Sequence, residues 1–414
     1  MRRMHPVWTL VLCAGAMLAV NMGIRQTFGL YLKPISQDLD LDRQVFSFSM
    51  AILNLVWGVA APFAGAISDR FGATRVALTG TALYIAGLVL MATAAGGTQI
   101  VLAGMLIGLG ISGTGFTAVF GVIARAAPPD KRASALGLAT MGSAIGQFVA
   151  LPYADLILEA TGWSATLWIM AGTAALMAPL AFAFSEGGHA APHPSAHSEQ
   201  RLGHALSEAL RYPSFLLLTA GFFVCGFHIA AVSVHLPAFL ADKGFSPGLG
   251  AIALTIIGGA NILGTYAFGR IGDVAPKHLA LAFLYLARGA IFIALIYLPL
   301  TTTNVLVCSF LLGLLWLGTI PLTSGLIVTF FGPRWLSMLY GIVFFSHQAG
   351  SFMGAWLGGW LYDTTHSYNM LWWASVGVAV MAALLHLPIR ERAAPRPAPG
   401  RGPSGVGTRP CPKP

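Results

Sequence analysis

Two arginines, three histidines and a few amides stand inside long apolar runs, where a polar side chain is costly. Arg25 lies in MGIRQTFGLYL and Arg288 in LYLARGAIF. A guanidinium presents a planar fork of donors that fits a carboxylate. Gln26 and Thr27 follow Arg25, and Asn21 precedes it by one helical turn, so a helix there gathers amides and a hydroxyl around the cation. His228, His235 and His347 bring imidazoles, which change charge near neutral pH; a satisfied packing role is the other reading of each. Gln348 follows His347, while Gln147 and Asn261 place uncharged amides in other apolar runs. Acids are nearly absent from these runs. Asp155 is the one that stands well within such a run, near its end. Arginine and histidine without a central carboxylate favour an anionic ligand over a cationic one. If a proton is coupled, an imidazole or the ligand's own carboxylate must take it.

Other chemistry finds little support. No nucleophile–base pair stands out, so the chain does not read as an enzyme, and no cofactor is expected. Cys13, Cys225 and Cys308 fall in apolar runs and read as packing residues, with Cys411 in the tail. No CxxC or Cys/His spacing suits a metal. His189, His193 and His197 recur every four residues, but Pro192 and Pro194 break the helix that would align them.

The elements that position these groups follow from composition. The chain has 414 residues, 56% hydrophobic and 9% charged, against about 25% charged in a soluble domain. Twelve apolar spans recur: 7–31, 44–67, 76–95, 99–126, 134–158, 164–184, 213–240, 249–268, 279–299, 303–328, 338–361 and 369–390. Each can cross a ~30 Å hydrocarbon core. All are expected to be helices, because lipid leaves no backbone group unsatisfied. A charge at mid-membrane costs about 2.5–3.5 kcal/mol, so Arg25 and Arg288 need a task or a partner. By helical rise Arg25 is expected about 27 Å along its span, near the outer mouth, and Arg288 about 14 Å in, near the midplane.

Lysine and arginine set the orientation. With the N-terminus inside, the outer segments carry Lys33, Arg43 and Lys243, while 18 of the 23 basic residues fall on the inner side. Both termini are then cytoplasmic. The net charge of +9 faces anionic headgroups rather than nucleic acid. Residues 185–212 read as a polar cytoplasmic loop joining the halves 1–184 and 213–390, with 391–414 a disordered basic tail.

The halves repeat. GAISDRFGATR begins at Gly65 and GRIGDVAPKH at Gly269, and the same offset of 204 pairs Gly137 with Gly341 and Gly146 with Gly350. GAISDRFGATR resembles the loop pattern of the major facilitator superfamily, in which Gly65, Asp69, Arg70, Gly72 and Arg75 take the patterned positions. The second copy keeps Gly269 and Asp273 but has Val274 and Pro276 where the pattern has Arg and Gly. The resemblance implies an all-α membrane protein of twelve transmembrane helices in two pseudo-symmetric six-helix bundles. It also implies that the loop residues form a gating network holding the cytoplasmic side closed in the outward-facing state. MGIRQTFGLYLKPI, CGFHIAAVSVHLPAFLADKG and YGIVFFSHQAGSFMGAWLGG look like the branch that includes monocarboxylate transporters and the oxalate/formate antiporter. Thr265 stands where that branch often has Arg, Asn261 where some members have Asp, and His347 where the antiporter has a substrate-binding Lys.

What this implies is a monomeric secondary transporter of a small organic anion, a mono- or dicarboxylate, in the inner membrane. Arg25, Gln26, Asn21, His228, His347, Gln348, Gln147, Asn261 and Arg288 are the candidate binding residues, and a proton is a candidate co-substrate. The rival readings are an efflux permease for hydrophobic drug-like or sugar-like compounds, and a non-transporting membrane sensor.

Overall fold

The computed structural model describes residues 6–127, 132–184, 202–332 and 336–394; the side chains of residues 6, 69, 117–118, 124–125, 132–134, 202–205 and 336–337 lie outside that description. Among the described residues there is helix and no strand. The helices are α1 (Pro6–Asp38), α2 (Arg43–Phe71), α3 (Ala73–Ala92), α4 (Gly97–Thr114), α5 (Phe116–Ala126), α6 (Arg132–Ala175), α7 (Met177–Ala181), α8 (Leu202–Arg211), α9 (Pro213–Asp242), α10 (Pro247–Val274), α11 (Lys277–Tyr297), α12 (Thr302–Leu314), α13 (Thr319–Phe331), α14 (Leu336–Thr365) and α15 (Asn369–His386).

Ten helical runs among the described residues are long and apolar enough to cross a membrane. One of them, Ala135–Phe184, has 50 residues, about 75 Å if straight and over twice a hydrocarbon core. It reverses at Gly162, whose φ of 82° is open to glycine at little cost. Tyr153 Oη and Thr173 Oγ1, 20 positions apart, stand 3.4 Å from each other across the bend. The run is therefore two crossings, and α14, with 30 residues, supplies another. Large side chains such as Leu156, Phe283 and Leu384 stay exposed on the outside of the bundle, where a multi-pass protein meets lipid. Part of the expected inter-half loop is helical, since α8 occupies Leu202–Arg211; the polar stretch 185–201 and the tail from 395 lie outside the described residues.

The repeat read from sequence is also a repeat of contacts. In the first half α1 packs on α6, and in the second α9 packs on α14. Gly146 lets α6 approach so closely that a Cβ there would run into the carbonyl of Ala19; Gly350, 204 positions on, stands in the same way over the carbonyl of Phe223. One turn away Gly142 lies against Gly15, and at the matching place Ser346 Oγ donates to the carbonyl of Thr219 at 2.9 Å. Small residues let membrane helices meet backbone to backbone, which is where lipid-embedded bundles gain dispersion contact.

Among the described residues the halves meet chiefly along the helix pairs α2–α14, α1–α9 and α6–α10, with α1 also touching α10. Contact is close at one end and lost toward the other. On α14, a Cβ at Gly359 would strike Ser47 and Gln44 of α2. Midway, one at Gly58 would lie 2.7 Å from Gln348 Cβ, and further along, Gly65 and Gly341 meet nothing within 4 Å. The α6–α10 pair behaves alike: Gly248 faces Asp155 at 3.4 Å, Gly258 faces Gln147 at 3.9 Å, and Gly137 and Gly269 face open space.

At the closed end, charge ties the halves. Arg43 donates to both carboxylate oxygens of Asp242, and Lys33 pairs with Asp242 at 3.1 Å. The backbone N–H groups of Arg43 and Gln44, at the start of α2, donate to Asp363 at 3.2 and 2.7 Å, a carboxylate at a helix N-terminus. The Arg43 guanidinium lies 3.7 Å over the Tyr362 ring and donates to Tyr368 Oη at 3.0 Å. Burial holds the Tyr368 phenol above its ordinary pKa, so it stays neutral beside the cation. Lys33 and Arg43, two of the three basic residues assigned to the outer side, are thus partners of acids in the opposite half.

Candidate functional site

At mid-height the seam between the halves carries polar and aromatic side chains from both sides. Arg25 comes from α1, which runs on through Pro34 to Asp38. The helix continues 13 residues past Arg25, about 20 Å, where the sequence suggests an end at residue 31. Its Nη2 donates to Asn54 Oδ1 of α2 at 2.7 Å, and its guanidinium carbon lies 5.1 Å from the centroid of Trp57. Asn54 is held in turn by donating to the Met50 carbonyl at 2.7 Å. Arg25 is half-buried, its Nε has no hydrogen-bond partner, and no carboxylate among the described residues pairs with it.

From Arg25 an aromatic path leads into the second half. Trp57 meets Phe344 of α14 edge to face at 5.3 Å, and Phe344 lies parallel to the His347 ring at 5.8 Å. Phe222 of α9 covers His347 from another side at 5.2 Å. His347 Nδ1 lies 3.0 Å from Gln348 Oε1, which accepts its proton, while Gln348 Nε2 is buried without a partner where α14 presses on Gly58. Gln26 spans the α1–α9 seam, donating to Ser233 Oγ at 3.2 Å. Gln147 donates to Ser143 on its own helix at 3.2 Å and faces Gly258 across the α6–α10 seam. Arg25, Gln26, Gln147, His347 and Gln348 therefore all stand where the halves meet.

Four candidates lie elsewhere. Asn21 turns into the first half and donates to Thr114 Oγ1 at 2.5 Å. His228 turns away from α1, despite its near-equivalence to Arg25 in the repeat; its Nε2 bonds the Ser375 carbonyl of α15 at 2.9 Å, against the Phe292 ring. Asn261 and Arg288 converge on the break between α12 and α13. Arg288 is fully buried and donates to the carbonyls of Leu315, at 3.1 and 2.6 Å, and of Trp316. Asn261 Oδ1 accepts from the Leu317 N–H at 3.0 Å. These groups replace the helical hydrogen bonds that the break gives up. The matching span of the first half breaks at Gly115, between α4 and α5.

At the open end the described side chains of the loop form no closed network. Arg70 and Arg75 are exposed, with Arg70 5.2 Å over the Phe71 ring. Gly72, with φ of 95°, turns the chain from α2 into α3. Asp273 is exposed, and the Asp69 side chain lies outside the described residues.

Sequence reasoning missed Asn54 and Phe344 as neighbours of Arg25 and His347, and missed Asp242, Asp363, Tyr362 and Tyr368 as a clamp. Excess charge at the outer loops, where topology does not call for Lys33 and Arg43, was a usable signal for the clamp.

The sequence profile described as the Major Facilitator Superfamily matches residues 12–354. Monocarboxylate transporter 13 of Rattus norvegicus is 26% identical over 374 residues, spanning 87% of this chain and 84% of its own. The MFS-type transporter YcxA of Bacillus subtilis is 25% identical over 382 residues, with 89% and 92% covered. Among solved structures, a bacterial homolog of the human lysosomal transporter Spinster, inward-facing and unoccupied, superposes with a TM-score of 0.73 at 14% identity, over 92% of this chain and 96% of that one.

Proposed function

The chain belongs to the Major Facilitator Superfamily, is a multi-pass membrane transporter, and from that premise we propose that it carries a small organic anion, a mono- or dicarboxylate, by alternating access. The observation that carries this reading is Arg25. A half-buried guanidinium at the seam between the halves, hydrogen-bonded to a neutral amide and free of any acid among the described residues, is a cation awaiting an anion. A substrate carboxylate would take its open donors. The apolar body would lie on Trp57 and Phe344, and a polar far end would reach His347. Gln26, Gln147 and Gln348 would adjust the seam around it, while Asn21, His228, Asn261 and Arg288 hold the helices that carry the contacts. The relatives named as monocarboxylate transporters support the substrate class.

The positive-inside bias supports an open end toward the cytoplasm with both termini inside; in this reading the protein works as a monomer in the inner membrane. The clamp of Arg43, Lys33, Asp242 and Asp363 then closes the outer side. The Gly65–Asp69–Arg70–Gly72–Arg75 loop and its partner at Gly269–Asp273 would engage in the opposite state.

The aromatic wall of Trp57, Phe344 and Phe222 favours one rival, a permease exporting hydrophobic compounds. Uptake of labelled lactate and oxalate into proteoliposomes, run beside drug resistance on expression, separates them. Carboxylate flux that Arg25→Gln abolishes supports the anion reading; resistance without carboxylate flux sinks it.

A further inference from the structure

Among the described residues, ring pairs join the α2–α14 seam, while its counterpart in the repeat, α6–α10, has none. Trp57 of α2 packs on Arg25, with 5.1 Å from the guanidinium carbon to the ring centroid, and meets Phe344 of α14 edge to face at 5.3 Å. Phe344 lies parallel to the His347 ring, and Phe222 of α9 covers that ring from another side. Nearer the closed end Phe48 and Phe352 join the same two helices edge to face at 6.2 Å. On α10 and α6 the offset of 204 puts Asn261 at the place of Trp57 and Thr140 at the place of Phe344. Glycines stand there as well: Gly258 faces Gln147 at 3.9 Å, and Gly259 faces the Phe148 ring at 3.4 Å. The ring pairs thus belong to one side of the molecule and do not follow from the two-half plan.

Charge is just as one-sided. Among the described residues Arg25 is the one arginine or lysine that the seam presents at mid-height. Lys33 and Arg43 pair with Asp242 at the closed end. Arg288 is fully buried inside the second half and donates to the carbonyls of Leu315 and Trp316. Arg70 and Arg75 are exposed at the open end. One guanidinium fits one carboxylate. A second carboxylate would leave water for ring faces, which carry the negative side of the aromatic quadrupole. His347 is no ready partner for it, because Gln348 engages its Nδ1 and Phe344 and Phe222 pack on its ring. A flat apolar body fares the opposite way. It gains by the area it buries and again by offset or edge-to-face contact with the rings.

We propose that the preferred substrate is a monocarboxylate with a flat aryl body, and that Trp57 and Phe344 select it over short acids, saturated rings and dicarboxylates. The proposal rests on the anion-transport reading and narrows it. Arg25 takes the carboxylate. The aryl ring lies along the α2–α14 rings, where Phe344, partly exposed beside the buried Trp57, offers the open surface. On the α6–α10 side Gly258 and Gly259 bring no side chain to compete for the space. Trp57 and Phe344 come from opposite halves, so an aryl ring held on this pair touches both halves at once. Selection and the movement of the halves then act through the same two side chains.

The test uses the full chain purified in detergent, with affinity read by titration calorimetry. The probes are benzoate, cyclohexanecarboxylate, terephthalate and lactate. Cyclohexanecarboxylate matches benzoate in heavy atoms but has a puckered ring; terephthalate is the benzoate ring with a second carboxylate. Benzoate is expected to bind about tenfold tighter than lactate or terephthalate, and several-fold tighter than cyclohexanecarboxylate. In Phe344→Leu the preference for benzoate over cyclohexanecarboxylate should fall toward one, and Phe344→Tyr should keep it. Arg25→Gln should weaken every acid. Cyclohexanecarboxylate or terephthalate bound as tightly as benzoate by the wild type overturns the proposal, whatever the variants do. An unchanged preference in Phe344→Leu overturns the selecting role of that ring. Lactate bound as tightly as benzoate, with both lost in Arg25→Gln, overturns the aryl preference and leaves the anion reading standing. If the wild type binds none of the acids, the anion reading fails and the proposal falls with it.

Discussion

At the scale of single residues, the energetics concentrate on Arg25. A hydrogen bond to a charged group contributes about 1.5–3 kcal/mol. Arg25→Gln is expected to weaken carboxylate binding by about 2 kcal/mol, roughly 30-fold, as read by ligand-induced thermal shift. Arg25→Lys keeps the charge but loses the fork to Asn54, and should lie between. Equal affinity in Arg25→Gln would remove the residue from the site. Arg25 and His347, which stand at the seam, could be singled out in the sequence because a charge or imidazole in an apolar run has few innocent explanations. Asn54 could not, since an amide in an apolar run does not say which helix it will face. For the same reason the sequence does not say that His228 faces α15 and Asn21 faces α4. A position one residue from Arg25 in the repeat turns about 100° around the helix, enough to move His228 from the seam to α15.

At the scale of elements, the break between α12 and α13 depends on side chains from two other helices. Arg288→Met removes the donors to Leu315 and Trp316 and leaves buried carbonyls unpaired. Each unmet group costs about 1–3 kcal/mol, so a marked fall in the melting temperature of the purified protein is expected. Asn261→Leu frees one N–H and should cost less; a melting temperature unchanged in both would deny these contacts a role in holding the break. Helix existence could be read from apolar run length, and the crossings fall close to the spans proposed from sequence. Three features could not. The seven-residue extension of α1 past Tyr31 includes Lys33 and Pro34, which hydropathy treats as an ending. The break at 315–318 contains residues as apolar as their neighbours, so nothing in the run marks it. The helix α8 owes its place to its own amphipathic pattern within a polar stretch.

At the scale of the whole molecule, one end is tied by ion pairs that link the halves. The pairs at Asp242 are partly exposed, and such pairs contribute about 0.2–1 kcal/mol each. Asp242→Asn weakens both, and a change of about 1 kcal/mol shifts a two-state population roughly fivefold. Spin-label distances across the Arg43 end should lengthen in that variant, and high salt should mimic it by screening. An unchanged distance distribution would show that the clamp does not set the state. The two-half plan was visible in the 204-residue offset, but which end is shut was not, because a sequence records contacts made in every state and names none. Four glycines of the seam helices that face empty space, Gly65, Gly137, Gly269 and Gly341, form two pairs under that same offset. In the alternating-access reading proposed above, their bareness is idle here and needed in the reverse arrangement, when the far ends of these helices would swing together. A leucine at Gly137 or Gly341 would therefore act as a doorstop: harmless to the fold and to substrate held in the cleft, yet wedging the protein so that it loads and never delivers.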